Sequence, residues 1–428
     1  MAFARVRWGR LTLTAEPART NSTWNLTDVC SRPSPTMEGC TMADSINNVP
    51  LLDINRDNRP HRDEFVDALA AVVDSGRFLF GPDVVELERE VASYSEVDNA
   101  VGCASGSDAL LLALMALNIG PGDEVIVPSF TFFASVSCIT RLGATPVFVD
   151  IRPDTFNIDV DRIAEAITEK TKAIIPVHLF GQCAEIDRIC QLGCEHDLPV
   201  IEDAAQAIGA AYHSRPAGSW GLVGCFSFYP TKNLGGMGDG GMMTSCDAAT
   251  ADRLRLFAGH GMRPRYYHQV VGINSRLDTF QAAVLRVKLK HLPAAVEARS
   301  SIADRYGRML TDMKLVDDDA ITLPTHDAKA FHVWNQYAIR VAGGRRDALR
   351  AHLAENGVGS EIYYPVPMHQ QECFTYLQAD RSKLVETERA SEEVLNLPIF
   401  PGLTESEQCR VIEVVVDYFA TAANKIAA

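Results

Sequence analysis

Lys232 stands in residues 226–241, FSFYPTKNLGGMGDGG, among aromatic, small and glycine residues. The run before it, 225–229, reads as a buried strand, and the glycines after it mark backbone in close approach to something. A lysine held in apolar surroundings loses its proton more readily, and the neutral amine attacks carbonyl carbon. That is what a Schiff-base lysine requires. An ordinary lysine at a strand end fits the same local pattern, so the choice rests on what else converges there.

A second group lies at Ser105, Gly106, Ser107 and Asp108. These residues follow a short apolar strand over 100–104 and open an apolar helix over 109–117. Free amides and the helix dipole at such a junction favour an anion, and Ser107 adds a hydroxyl. Plain capping of the helix by Ser105 or Ser107 explains the same residues. Further polar or aromatic groups follow other predicted strands: Phe130 to Phe132, His178, and Asp203 to Gln206.

The elements that carry these groups alternate. Strands are predicted at 124–127, 145–149, 173–177 and 199–202, with helices at 134–141, 160–167 and 184–196. Two amphipathic helices, 60–75 and 84–94, precede them. Strands joined by helical crossovers give a mostly parallel sheet with both faces covered, and ligands bind beyond the carboxyl ends of its strands. The candidate residues all fall at such ends. A long helix is predicted over 280–292, resuming through 294–312 after a kink at Pro293. Strands at 334–341 and 360–364 and helices at 345–356 and 409–425 then give an α+β pattern. The expected division is a large domain, 42–290, and a smaller C-terminal one, 291–428.

The 428 residues include 40 basic and 55 acidic ones, a formal charge of −15. So acidic a chain is a poor general binder of phosphate backbones, which argues against nucleic acid as a partner. No apolar run reaches the length of a membrane span. The 11 cysteines form no CxxC pair. Scattered thiols of this kind suit a reduced, cytoplasmic protein, with a zinc pair at Cys190 and Cys194 as the alternative and no other metal site expected.

Taken together, seven segments resemble the DegT/DnrJ/StrS-type sugar-nucleotide aminotransferases, which are fold-type I pyridoxal-phosphate enzymes. They are SGSDAL (105–110), GDEVIVPSFTFF (122–133), PVHLFG (176–181), IEDAAQAIG (201–209), 226–241, GINSRLDTFQAA (272–283) and GVGSEIYYPVPMH (357–369). The resemblance runs from about residue 49 to the C-terminus and implies an α/β fold of the transferase type. It also implies roles. Lys232 would hold pyridoxal 5'-phosphate covalently and shuttle a proton. Asp203 would pair with the ring nitrogen and keep it protonated. Gln206 would address the ring hydroxyl side, and Phe132 would stack on the ring. Gly106, Ser107 and Ser227 would hold the phosphate. Asn274 would reach the phosphate of the neighbouring subunit, which makes a homodimer necessary for activity. His178 and His369 are candidates for sugar or diphosphate contacts, with structural duty as the alternative.

The same resemblance implies the reaction. Dehydrating relatives carry histidine where Lys232 stands, so the lysine favours amino transfer, with glutamate as donor and a nucleotide-linked keto-sugar as acceptor. Relatives acting at a 4-ketone often carry a TTGEGG-like run after the lysine. Here Asn233 to Gly241 (NLGGMGDGG) sits closer to relatives acting at the 3-ketone, and the glycines are expected to leave room for the sugar. Two competing readings remain: a regulator that keeps the fold without the chemistry, and a pyridoxal enzyme of amino acids using Arg276 for the substrate carboxylate. The intact pairing of Lys232 with Asp203 argues against the first.

Residues 1–41 differ from the rest. Arg5, Arg7, Arg10, Arg19 and Arg32 outnumber their acids, and no periodicity is sustained. They are expected to be a disordered extension, with Met42 as a natural start.

Overall fold

The computed structural model describes residues 48–316 and 320–426. The expectations for residues 1–41 and for Met42 lie outside the described residues.

The chain opens with α1 (Ile54–Asn58), α2 (Arg62–Ser75) and α3 (Pro82–Tyr94). The alternating part follows: β1 (Asn99–Cys103), α4 (Gly106–Ala116), β2 (Glu124–Pro128), α5 (Ala134–Arg141), β3 (Thr145–Val149), α6 (Val160–Ala166), β4 (Thr171–Ile174), α7 (Ile186–Glu195) and β5 (Ile201–Asp203). A small hairpin, β6 (Ala211–Tyr212) and β7 (Arg215–Pro216), leads to β8 (Val223–Ser227) and β9 (Gly241–Ser245). After α8 (Ala248–Ala258) comes α9 (Thr279–Asp312). The remainder holds β10 (Ile321–Thr322), β11 (Ala330–Phe331), β12 (Tyr337–Val341), α10 (Arg346–Glu355), α11 (Val385–Glu393), β13 (Val394–Leu397) and α12 (Glu405–Ile426).

Two strand groups, β3-β2-β4 and β5-β8-β9-β1, make one sheet. Parallel bridges Ile174–Val200 and Val177–Asp203 join β4 to β5. Every neighbour pair is parallel except those of β9, which runs antiparallel to both β1 and β8. The reversal follows from connectivity. β8 and β9 are joined by the short Lys232 loop rather than a helical crossover, and a short loop can only return antiparallel.

Alternate side chains of these strands enter opposite cores, as the pleat requires. Val125 and Val127 pack with Leu112 of α4, Val136 of α5 and Leu254 of α8. Ile126 packs on the other face with Leu87 of α3, Ile163 of α6, Ile189 of α7 and Leu285 of α9. A third core gathers Ile339 of β12, Leu395 of β13, Leu349 of α10, Val415 of α12 and Tyr306 from the far half of α9. This core is α+β, as the sequence pattern indicates.

Two expectations need correction. Residues 360–364 do not form a strand; Glu361 makes one isolated bridge to Asn396 and the chain then leaves the small sheet. The edge position there is taken by β13, a buried strand whose apolar run lies hidden behind the acidic α11. The long helix is assigned without interruption through Pro293.

Beneath the sheet's carboxyl edge lies a buried network. Glu202 is wholly buried and accepts from the amides of Gly218 (2.8 Å), Trp220 (2.8 Å) and Gly221 (2.7 Å). The fourth partner is His178 Nε2 at 2.9 Å. Removing one member of a buried charged network strands the others, at about 3–5 kcal/mol. Glu202→Ala should therefore destabilise the chain by about that amount, read as a fall in the urea midpoint; a loss below about 1 kcal/mol would mean that water replaces the carboxylate without penalty.

Candidate active site

Local structure explains why the candidate groups meet. Two residues after β1, Ser105 takes an extended backbone (φ −163°, ψ 165°) and starts α4, and its Oγ accepts from the Asp108 amide at 3.1 Å. Ser105 is therefore the cap. Gly106 and Ser107 are left as the first two helical residues, whose amides have no partner within the helix. Ser227 ends β8 directly against them. A Cβ on Gly106 would lie 2.6 Å from Ser227 Cβ and 3.0 Å from its Oγ, so only glycine allows the two elements to close up. One helix N-terminus and the hydroxyls of Ser107 and Ser227 thus share one corner, which has the donors a phosphate needs.

Asp203 ends β5, with 4% of its surface exposed. Its Oδ2 accepts from Ser135 Oγ at 2.6 Å and its Oδ1 from the Ala205 amide at 3.2 Å. Thr131 Oγ1 lies 2.9 Å from Ser135 Oγ and extends the chain of hydroxyls. Burial pushes the Asp203 pKa up, against these hydrogen bonds and the charge of Lys232. A carboxylate so short of compensating charge gains most from a cationic N–H brought beside it.

Lys232 follows β8 in the loop, where its amide donates to the Tyr229 carbonyl at 2.9 Å. Burial brings its pKa down to about 8, with the Asp203 carboxylate pulling the other way. At pH 8 about half of the amine is therefore neutral, where an ordinary lysine, with pKa about 10.4, is almost wholly charged.

The glycines after it do not make room for a sugar. A Cβ on Gly235 would lie 2.3 Å from the Pro230 carbonyl oxygen. At Gly236 and Gly238 it would meet the Gln281 side chain at 2.8 and 2.9 Å, and at Gly241 the Ser105 carbonyl carbon at 2.5 Å. The glycine run lets the loop pack against α9 and the start of α4, and that protein packing is what crowds out a side chain.

Phe132 is 56% exposed although it follows a buried strand. Its ring centroid lies 6.0 Å from that of Tyr364, which comes from the far C-terminal part of the chain. Gln206 joins the same group. Its Oε1 accepts from the Phe180 amide at 2.6 Å, and its Nε2 donates to the Tyr364 hydroxyl at 3.3 Å. Sequence reasoning held Thr131 only as part of the strand-end run Phe130 to Phe132 and missed Ser135 and Tyr364. The i, i+4 spacing of Thr131 and Ser135 inside SFTFFAS was the available signal for Ser135; nothing local distinguishes Tyr364 from Tyr363.

Both histidine candidates are corrected. His178 is wholly buried; its Nδ1 accepts from the Ala184 amide at 3.1 Å, which leaves Nε2 to donate to Glu202. His369 is buried, with Nδ1 2.7 Å from Ser129 Oγ and Nε2 3.1 Å from Glu388 Oε1. Neither ring has a nitrogen left for a sugar or a diphosphate. They brace the loops that carry the site. Asn274 lies exposed on the segment before α9, where its backbone bridges to Gly259. Arg276 stacks over the Phe80 ring at 5.7 Å.

The residues fit pyridoxal 5'-phosphate on these observations. The Gly106, Ser107 and Ser227 corner offers anion donors, Asp203 offers a buried carboxylate for a ring N–H, Lys232 offers an amine whose pKa is brought down, and Phe132 offers an open aromatic face.

At pH below about 8 the Lys232 amine is mainly protonated and cannot attack; above it the neutral form dominates. The rate at which cofactor-free protein captures pyridoxal phosphate should therefore rise with pH through about 8 and level off, followed by near-visible absorbance. A midpoint above about 9.5 would mark an ordinary, solvated lysine.

Comparison with known proteins agrees with this geometry. A 46% identical relative, over 87% of this chain and 99% of its own, is the pleiotropic regulatory protein of Geobacillus stearothermophilus. The UDP-N-acetyl-3-dehydro-alpha-D-glucosamine 3-aminotransferase of Acidithiobacillus ferrooxidans is 44% identical, over 86% of this chain and 97% of its own. Among solved structures, DesV of S. venezuelae, in complex with a ketimine intermediate, superposes with a TM-score of 0.83 at 42% identity, covering 87% of this chain and 98% of its own. The sequence profile of one family spans residues 60–416, and the chain belongs to that family, the DegT/DnrJ/EryC1/StrS aminotransferases.

Proposed function

We propose that the protein is a pyridoxal-phosphate aminotransferase that places an amino group on C3 of a nucleotide-linked keto-sugar, with glutamate as donor, for amino-sugar synthesis in the cytoplasm. The observation that carries the reading is the opposed pair at the sheet edge: a lysine whose pKa is brought down and an aspartate whose pKa is pushed up. A fold kept only for regulation has no use for that pair, although the name of the Geobacillus relative keeps a regulatory role as the second reading. The C3 preference rests on the relative acting on a 3-dehydro-glucosamine and on the run from Asn233 to Gly241.

When bound, pyridoxal phosphate supplies an electron sink for charge that develops on the substrate carbon. The chain's own residues do the rest. Asp203 would hold the ring nitrogen protonated, with Ser135 fixing the carboxylate's orientation. Gly106, Ser107 and Ser227 would hold the phosphate. Phe132 would pack on the ring, and Gln206, itself held by Phe180 and Tyr364, would address the ring hydroxyl side. The Lys232 amine would serve as the base and acid that moves a proton at the substrate carbon. Glutamate leaves as 2-oxoglutarate, and the ketone becomes an amine.

We propose a homodimer in which Asn274 serves the neighbouring subunit. Support comes from the exposed Phe78, Leu79 and Phe80 beside the segment that carries Asn274, an apolar cluster that a second chain would cover. A large domain, 42–290, and a small one, 291–428, remain a proposal; support for it is that α9 contributes Leu285 to one core and Tyr306 to another. Among the described residues no helix is long and apolar enough to cross a membrane.

Purified enzyme should form 2-oxoglutarate from glutamate only with a nucleotide-linked 3-keto-sugar, and Lys232→Ala should lose the near-visible absorbance and at least about 100-fold in turnover. Equal turnover with a plain 2-oxo acid, or with a 4-keto-sugar, would overturn the substrate assignment. Lys232→Ala and Asn274→Ala chains, each weak alone, should regain activity when mixed and refolded together, because one site of the mixed dimer is intact. No recovery would place Asn274 in its own chain's site or outside any site.

A further inference from the structure

Away from the sheet edge, two histidines and a glutamate meet where α2 packs on α9. His61 ends a short 3-10 turn (Arg59–His61) and caps α2; Glu64 lies in the first turn of α2; His291 comes from α9. Phe65, Val284 and Val287 pack just beneath and fix the two helices together. The side chains are half-exposed or exposed, so a solvent ion has access.

The geometry is that of a ligand set. His61 Nδ1 lies 3.4 Å and His291 Nε2 3.2 Å from the same oxygen, Glu64 Oε1. The three ligand atoms all lie within 4.8 Å of one another. Zinc bonds of about 2.0–2.1 Å give a tetrahedral edge of about 3.3–3.4 Å. Two of the edges here already have that length. The imidazole rings stack at 3.7 Å between centroids with 20° between planes, so their lone pairs run side by side and one ring must rotate about its χ angles to bring both nitrogens onto one ion. Neutral imidazoles and one carboxylate carry a net charge of −1, which a divalent cation complements. Nitrogen-rich sets of this kind prefer zinc, copper or nickel to magnesium or calcium.

The position also connects to the rest of the molecule. His61 and His291 line a cavity of about 360 Å³ that is also lined by Asp57, Lys288 and Lys232. Lys232 reaches this cavity, while Ser227, Asp203, Phe132 and Gln206 do not line it.

We infer that His61, Glu64 and His291 bind a borderline divalent cation, zinc foremost, with a fourth position open to water, and that the ion clips the start of α2 to the middle of α9. No reaction is assigned to it; the ion holds the wall of the cavity that Lys232 reaches.

Cobalt(II) titrated into metal-free holoenzyme tests this. We expect one equivalent per chain with the visible bands of four-coordinate cobalt, displaced by zinc, and a raised thermal midpoint with zinc present. Loss of a residue that only supports a metal ligand costs about 10–100-fold in affinity, so loss of a ligand should cost at least about 100-fold. His291→Ala should show that loss, and Glu64→Gln, which keeps the side chain's shape, covers the case in which the first variant folds poorly. The exposed Cys194, Cys246 and Cys373 are common to all variants, so their binding cancels in the difference. The inference fails if wild type and Glu64→Gln bind cobalt with the same stoichiometry and affinity, or if the wild-type spectrum is that of the six-coordinate hydrated ion.

Discussion

The structure depends on what happens at the carboxyl end of β5. Two acidic residues, Glu202 and Asp203, stand side by side there and face opposite ways. The strand's pleat sends one below the edge and one above it. Glu202 is satisfied by three amides and a histidine, so it is a fixed anchor. Asp203 is left with fewer donors and a raised pKa. The anchor holds the strand end still, and the under-compensated neighbour is then displayed to the cleft. The His178 amide donates to the Asp203 carbonyl at 3.0 Å, so the same histidine steadies both acids. A histidine that seemed a substrate contact turns out to be what keeps the working carboxylate in place.

The phosphate corner works by exclusion. Its hydroxyls are common residues, but the approach of β8 to α4 is possible only because Gly106 has no side chain. Burial then acts on Lys232 in the opposite sense from Asp203. Desolvation disfavours charge on both, so the amine is pushed towards neutrality and the acid is pushed towards holding its proton. Each partly restores the other's charge. A cofactor with an aldehyde for one and a ring N–H for the other resolves both penalties.

Much of this was legible in the chain. The order of strands and helices, the glycine-bounded loop around Lys232 and the acid after β5 follow from period and from turn chemistry. So does the membership of one sheet edge, because parallel sheets put their functional groups there. What stayed hidden has physical reasons. The reversal of β9 depends on the Lys232 loop being a direct return, which glycine content alone does not reveal. The small glycines were read as space for a ligand; the difference between open space and a neighbouring Gln281 is tertiary. His178 and His369 carry the residue type of a ligand contact, but their hydrogen-bond partners, Glu202, Ala184, Ser129 and Glu388, come from distant segments. Ser360 to Tyr364 has strand-forming residues, but the pairing edge belongs to β13.

The link between Gln206 and Tyr364 has a kinetic consequence. The two are separated by 158 positions, so their contact closes a long loop. Contacts of that span form late, because the ordering entropy must be offset before they reward it. A nascent chain that has emerged as far as α8 already contains the sheet, the lysine and its aspartate. It still lacks the Tyr364 hydroxyl that Gln206 holds. Synthesis from the N-terminus therefore completes the chemistry's instruments well before it completes their enclosure.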